Sequence, residues 1–216
     1  MKPVRWLYSK ISGKPFPDLI VELKKAVAGC ETLLDVGCGT CSPIESFSKK
    51  IFCVGLDIHQ PSVEKSKAKN IHNEYRILDV MEIERHFKPA SFECVLALEI
   101  IEHMEKEDGR KLLEMAERIA EKRVVIYTPN GFLKQDEYDD NPWQVHKSGW
   151  TVKDMQERGY RVVGINGWKP LRKEHSVTIR PKDFWLVISD ITQIFLRNKP
   201  EKAFQILCIK DINRSG

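Results

Sequence analysis

Residues 33–40 read Leu33-Leu34-Asp35-Val36-Gly37-Cys38-Gly39-Thr40, and Val54-Gly55-Leu56-Asp57 puts a carboxylate twenty residues after Gly37. An apolar run that feeds directly into glycines brings bare backbone close to a ligand, because a residue without Cβ permits tight turns and close approach. A carboxylate at the tip of the next strand accepts hydrogen bonds from both hydroxyls of a ribose. The two segments together predict a nucleoside-shaped cofactor lying across the carboxyl ends of adjacent parallel strands. A dinucleotide turn would carry a third glycine where this chain has Ser42, and Asp35 stands two residues before the first glycine. Both departures disfavour a nicotinamide cofactor.

Working outward, Leu19, Ile20, Leu23, Ala26 and Val27 recur at helical spacing until Gly29, after a basic, aromatic N-terminal arm. This predicts a helix over about 18–28. Alternating segments follow: strand 32–37, helix 42–50, strand 51–57, helix 61–69, strand 74–79, a short helix near 81–87, strand 92–98, helix 105–121 and strand 123–128. Such alternation implies a parallel sheet with helices on both faces. Residues 131–149 form a long acidic and aromatic loop, of a length that is usually functional or disordered. Thr151 and Asp154 have the spacing of a helix N-cap, with Gly159 as the stop. Strand 160–165 and a seventh strand over 204–210 would pair, with an insert at about 167–202 holding a helix over about 182–196. The expected fold is α/β: one Rossmann-like domain over 1–216, its seven-stranded sheet mostly parallel and its last strand antiparallel.

The chain is 42% hydrophobic and 31% charged, ordinary values for a globular protein. Lys and Arg exceed Asp and Glu by 35 to 31 without forming a block, so no nucleic-acid partner is expected. Six cysteines sit mostly in or beside apolar runs and no signal peptide is legible, which points to a cytoplasmic protein with reduced thiols. The longest apolar stretch, 184–196, is interrupted by Ser189, Asp190, Thr192 and Gln193 and falls short of the ~20 residues of a membrane span. Its apolar positions, with Lys182, Arg197 and Lys199 nearby, leave open a peripheral membrane contact besides a core or lid role. Oligomeric state is not legible.

On these motifs the chain resembles the class I S-adenosylmethionine-dependent methyltransferases over about residues 30–166. Within them, Leu98-Glu99-Ile100-Ile101-Glu102-His103-Met104 and Tyr127-Thr128-Pro129-Asn130-Gly131 are similar to the segments after strands four and five of the small-molecule branch that includes ubiquinone-pathway O-methyltransferases. The resemblance implies S-adenosylmethionine as cofactor and a small-molecule acceptor, with a hydroxyl oxygen favoured. It implies that Gly37, Cys38 and Gly39 face the methionine and ribose, and that Asp35 supports the amino group. Asp57 would hold the ribose hydroxyls, Ile58 would pack on the adenine, Asp79 and Val80 would address its edge, and Leu98 and Glu99 would line the site beside the sulfonium. Cys41 stands where many members have a third glycine. The loop after strand four lacks the Asn/Asp-Pro-Pro-aromatic clamp of nucleic-acid amino-methyltransferases, and a catalytically silent cofactor-binding module is the rival reading.

The sulfonium is already an activated methyl donor, so alignment supplies much of the rate and a hydroxyl acceptor gains from a general base. His103 and His146 are the candidates, since imidazole titrates near neutral pH. Glu99, Glu102 and His103 fall at i, i+3 and i+4, which a helical turn would place on one face. The ubiquinone-pathway enzymes carry the same cluster as a proposed cation site, but a polar rim is the favoured reading and no metal is assigned. Cys38-Gly39-Thr40-Cys41 has the form of a redox pair at a helix start. Tyr138, Trp143 and Trp150 could stack on a flat acceptor or pin the loop.

Overall fold

The computed structural model describes residues 3–137, 141–173 and 180–213. Seven strands form one sheet: β1 (Thr32–Val36), β2 (Phe52–Asp57), β3 (Glu74–Ile77), β4 (Phe92–Leu98), β5 (Ala120–Pro129), β6 (Arg161–Trp168) and β7 (Ala203–Asp211), in the order β3-β2-β1-β4-β5-β7-β6. β1 pairs in parallel with both β2 and β4, and β5 continues the parallel set. β7 runs antiparallel between β5 and β6. The chain order reverses at β1, so the carboxyl ends of β1 and β4 diverge into the crevice where such sheets hold ligands.

Side-chain alternation divides the interior into two cores. Leu34 and Val36 of β1, Val95 and Ala97 of β4 and Val124 and Ile126 of β5 enter one, with Leu112, Leu113, Ala116 and Ile119 of helix α5 (Lys106–Ile119). Leu33, Cys94, Leu96, Val125 and Tyr127 enter the other, with Leu23 and Ala26 of helix α2 (Leu19–Ala26), whose N-cap Asp18 accepts from the Val21 N–H. Both faces of β1, β4 and β5 are therefore buried, while the edge strand β3 is mostly exposed.

Helix α3 (Gln60–Ala68), the single-turn α4 (Ile83–His86) and α6 (Val152–Glu157) match the expected positions, and Thr151 and Asp154 close a reciprocal capping box. The helix expected over 42–50 is instead two 3-10 turns, Pro43–Ser46 and Ser48–Lys50. Between them Phe47 has φ −146°, outside the helical region, so the i→i−4 ladder cannot run through it. The N-terminal arm is a helix, α1 (Pro3–Ser12), with none of its residues buried.

Helix α7 (Lys182–Leu196) turns a polar face inward. Ser189, Asp190 and Gln193 are buried, whereas Phe184, Ile191 and Phe195 are exposed. Gln193 donates to the Pro17 and Gly164 carbonyls and accepts from the Gly167 N–H. Arg5 of α1 reaches Asp190 with Nε and Nη2 at 3.1 and 3.0 Å, and Asp18 with Nη1 at 2.9 Å. The Asp190 side chain is 5% exposed and that of Arg5 28%. Removing one partner of a buried pair strands the other charge and costs about 3–5 kcal/mol. Because Arg5 keeps some contact with water, Arg5→Met should lower unfolding stability by about 2 kcal/mol, while Asp190→Asn in the same background should recover part of the loss; urea denaturation of the three proteins checks this.

Candidate active site

The turn after β1 is tied to the end of β2. The Gly37 and Cys38 N–H groups donate to the Leu56 carbonyl at 2.8 and 2.9 Å, and the Gly39 N–H donates to Asp57 Oδ2 at 2.9 Å. Gly37 has φ +72°, and a Cβ there would lie 2.3 Å from Ile100 Cδ1, so conformation and space both demand glycine. Asp57 Oδ1 also accepts from the His59 N–H at 2.9 Å. Burial raises the Asp57 pKa despite these two donors. Beyond the turn opens a cavity of ≈ 560 Å³, within the usual size of a small-molecule site. Asp35, Gly37, Cys38, Gly39, Asp57, Ile58, Asp79, Val80, Leu98 and Glu99 all line it, as do His103 and His146. The fold thus brings residues of five separate segments to one crevice.

Several placements differ in detail from expectation. Asp35 is buried, and its Oδ2 lies 2.8 Å from His72 Nε2. His72 has no sequence signal, yet its ring lies 2.9 Å from where a Gly55 Cβ would stand, so the glycine inside β2 makes room for it. Asp79 caps the next turn by accepting from the Met81 N–H at 2.9 Å. Cys38 is buried and Cys41 exposed, both are free thiols, and no α-helix starts beside them. Burial pushes the Cys38 thiol up, while Lys69 lowers that of Cys41. These features remove the basis for a helix-stabilised redox pair.

Glu99, Glu102 and His103 do not share one helical face. Glu99 has φ +56° and its N–H is spent on the Tyr127 carbonyl at 2.7 Å, so the helical turn begins only after it, as a 3-10 turn over Ile101–His103. Glu99 instead accepts from Gln205 Nε2 of β7, a residue that no motif pointed to. The partner that joins Glu102 and His103 is His146 from the long loop: one ligand atom from each of the three lies within 4.8 Å of the others. The two imidazole rings meet edge to face with centroids 4.7 Å apart.

Backbone stitching makes this meeting possible. The Lys147 and Ser148 N–H groups donate to the Glu102 carbonyl at 2.8 and 3.1 Å, and the Gly131 N–H closes the loop base on the Trp150 carbonyl at 2.6 Å. Trp150 is buried, donating from Nε1 to the Ile101 carbonyl at 3.1 Å, so it is a core anchor and does not stack on an acceptor. Trp143 lines the cavity and is half exposed; Tyr138 lies outside the described residues. His146 Nδ1 faces the Leu133 carbonyl at 2.6 Å and His103 Nδ1 the Val145 carbonyl at 3.3 Å, contacts that orient both rings.

Burial pulls the His103 imidazole down to about 4, with His146 adding to the fall. Burial pushes the Glu102 carboxyl up to about 8, and Glu99 adds to the rise, although Thr128 Oγ1 donates to it at 3.0 Å. Both groups are therefore neutral at pH 7. In the unfolded chain Glu102 has an ordinary carboxyl near 4.5, so it releases its proton there while the folded protein keeps it. Its contribution to stability is full below about 4.5 and declines as pH rises toward about 8. Glu102→Gln measured in chelator should gain stability over the wild type between pH 5 and pH 8, by more than about 1.4 kcal/mol, the equivalent of one pKa unit. A difference that stays constant across those denaturation curves would refute the raised pKa.

Comparison with known proteins agrees with this geometry. Residues 34–128 match the family described as "Methyltransferase domain". A small RNA 2'-O-methyltransferase of Tetrahymena thermophila is 24% identical over 185 residues, which is 68% of this chain and 43% of that protein. The chain thus spans less than half the length of that relative. A SAM-dependent methyltransferase from Archaeoglobus fulgidus superposes with a TM-score of 0.59 at 16% identity, over 95% of this chain and 98% of its own. Magnesium protoporphyrin IX methyltransferase from Synechocystis PCC 6803, solved with bound SAM, superposes at 0.52 with 11% identity, over 97% and 79%. The fold is thus shared with solved S-adenosylmethionine-dependent methyltransferases, and residues 34–128, under half of the chain, match a methyltransferase domain.

Proposed function

We propose that this methyltransferase domain transfers the methyl of S-adenosylmethionine to a hydroxyl oxygen of a small-molecule acceptor, with His103 and His146 handling the acceptor. The observation that carries this reading is the convergence of Glu102, His103 and His146 within 4.8 Å, in the same cavity as the cofactor turn. Burial keeps the His103 imidazole neutral at pH 7, the form that takes a proton, but its pKa of about 4 makes it a weaker base than free imidazole, which leaves alignment a large share of the rate. The acceptor oxygen would lose its proton to His103 as it attacks the methyl carbon, and the sulfonium would leave as a neutral thioether. The resemblance of the Glu99–Met104 segment to ubiquinone-pathway O-methyltransferases supports oxygen as the acceptor atom. Six free cysteines, five of them buried, fit a reducing, cytoplasmic setting.

Two observations bear on the acceptor. The Tetrahymena relative acts on small RNA, which raises a ribose hydroxyl as the second reading. Against a polyanion, the described lining includes Asp35, Asp57, Asp79, Glu105 and Asp108, with Lys147 its sole Lys or Arg. A wall of that sign repels a phosphate backbone and favours a neutral or cationic acceptor.

The same three side chains also suit a divalent cation. Glu102 is a buried carboxyl that forms no ion pair with Lys or Arg among the described residues, and it stands beside two imidazoles. A bound cation would lower the pKa of an acceptor hydroxyl as a Lewis acid.

An acceptor panel of phenols, polyols, nucleosides and a short RNA, scored by mass of the methylated product, tests the acceptor class. His103→Ala and His146→Ala should each lower turnover by about 10²-fold, with cofactor affinity by calorimetry unchanged. Turnover equal to the wild type in both variants would leave alignment alone as the mechanism; turnover that EDTA abolishes and Mg²⁺ or Mn²⁺ restores would assign the trio to a cation. Asp57→Ala should weaken S-adenosylmethionine by about 1.5–3 kcal/mol, the range for a hydrogen bond to a charged group. Unchanged affinity would refute its contact with the ribose.

A further inference from the structure

Helix α7 is inverted relative to an ordinary surface helix. Its polar side chains Ser189, Asp190 and Gln193 are buried against α1 and β6, and its apolar stripe faces outward. Phe184, Ile188, Ile191 and Phe195 follow i, i+4, i+7 and i+11, the spacing of a single helical face. Phe184 is 56% exposed and Phe195 67%. Beside it, α1 exposes Trp6, Leu7 and Ile11, the last at 77%, while Arg5 points inward to Asp190. The ion pair thus clamps two helices with their polar contacts inward and their apolar residues outward. Exposed large apolar side chains gathered on two helices that pack together mark an interaction site.

The charges around it identify the occupant. Pro3–Phe16 contains Arg5, Lys10 and Lys14 and no acidic residue. Lys10 Nζ sits 4.8 Å over the Trp6 ring. Arg180 and Lys182 lead into Phe184, Lys199 follows Phe195, and all three are exposed, with Asp183 the one exposed acid on α7. Apolar and aromatic side chains fringed by lysine are the composition of helices that lie in a bilayer interface, where the long aliphatic stems bury and the ammonium groups meet anionic headgroups. No described helix is long and apolar enough to cross a membrane.

We propose that the paired outward faces of α1 and α7 seat this protein on an anionic lipid surface. A hydrogen-bonded path leads from this face to the cavity: Ser189 of α7 donates to the Asn166 carbonyl, Asn166 Nδ2 donates to Gln205, and Gln205 donates to Glu99 at the cavity wall. The two outward faces meet the headgroups and acyl boundary, and the basic fringe supplies the preference for negative charge.

Flotation of the full chain with phosphatidylcholine vesicles, with and without 30% phosphatidylglycerol, tests this. The wild type should float with the anionic vesicles and much less with the neutral ones, and 0.5 M salt should weaken the binding. Phe184→Ser/Phe195→Ser should lower the vesicle partition coefficient by about tenfold or more. Ile77→Ser, an exposed residue on edge strand β3 across the sheet, should leave it unchanged. Retention of cofactor binding by the double variant shows that it is folded. A wild type that never floats, or that floats equally with neutral vesicles and is indifferent to the double substitution, overturns the proposal. So does a dimer in light scattering that dissociates in the double variant, because a second copy then covers the face.

Discussion

Three consecutive N–H groups, those of Gly37, Cys38 and Gly39, are taken up by the Leu56 carbonyl and the Asp57 carboxylate. This junction welds the turn after β1 to the end of β2 and fixes the floor of the cavity before any ligand arrives. It works only because Gly37 has a positive φ and no Cβ to collide with Ile100. It also shapes Asp57: two backbone donors hold the carboxylate in place while its remaining lone pairs face the crevice. Asp35 and His72 support the same junction from beneath, in space that Gly55 leaves open.

The opposite wall is built by a different device. The loop that carries Lys147 and Ser148 is pinned by its backbone to the turn after β4 through the Glu102 carbonyl, and Trp150 fills the core beneath. The result brings His146 edge to face with His103 from forty-three positions away in the chain. Burial then acts on both members of the site in the same sense, disfavouring charge: the imidazole falls and the neighbouring carboxyl rises. A neutral, pre-oriented cluster at the cavity wall is an economical arrangement for the proposed group transfer.

Legibility followed the range of the interaction. The strands, the glycine turn, Asp57 and the capping box at Thr151 were readable because each depends on neighbours within a few residues. The helix expected over 42–50 failed because its apolar spacing said nothing of the break at Phe47. Glu99 was grouped with Glu102 and His103 on helical spacing and on the like cluster of the resembling enzymes, but the hydrogen bond of its N–H to Tyr127 puts it outside the turn. Gln205 and His72 were invisible, since each is defined by contacts far away in the chain.

Sequence by itself determined the parallel α/β sheet and the glycine turn that opens the crevice after β1, because hydrophobic periodicity and glycine punctuation encode backbone path directly. Tertiary structure alone decided which polar side chains meet across the cavity, and that α7 presents its apolar stripe to the outside. A helix pattern records that one face differs from the other; which face turns inward is settled by partners such as Arg5 and Gly164, and those are chosen only when the chain closes on itself.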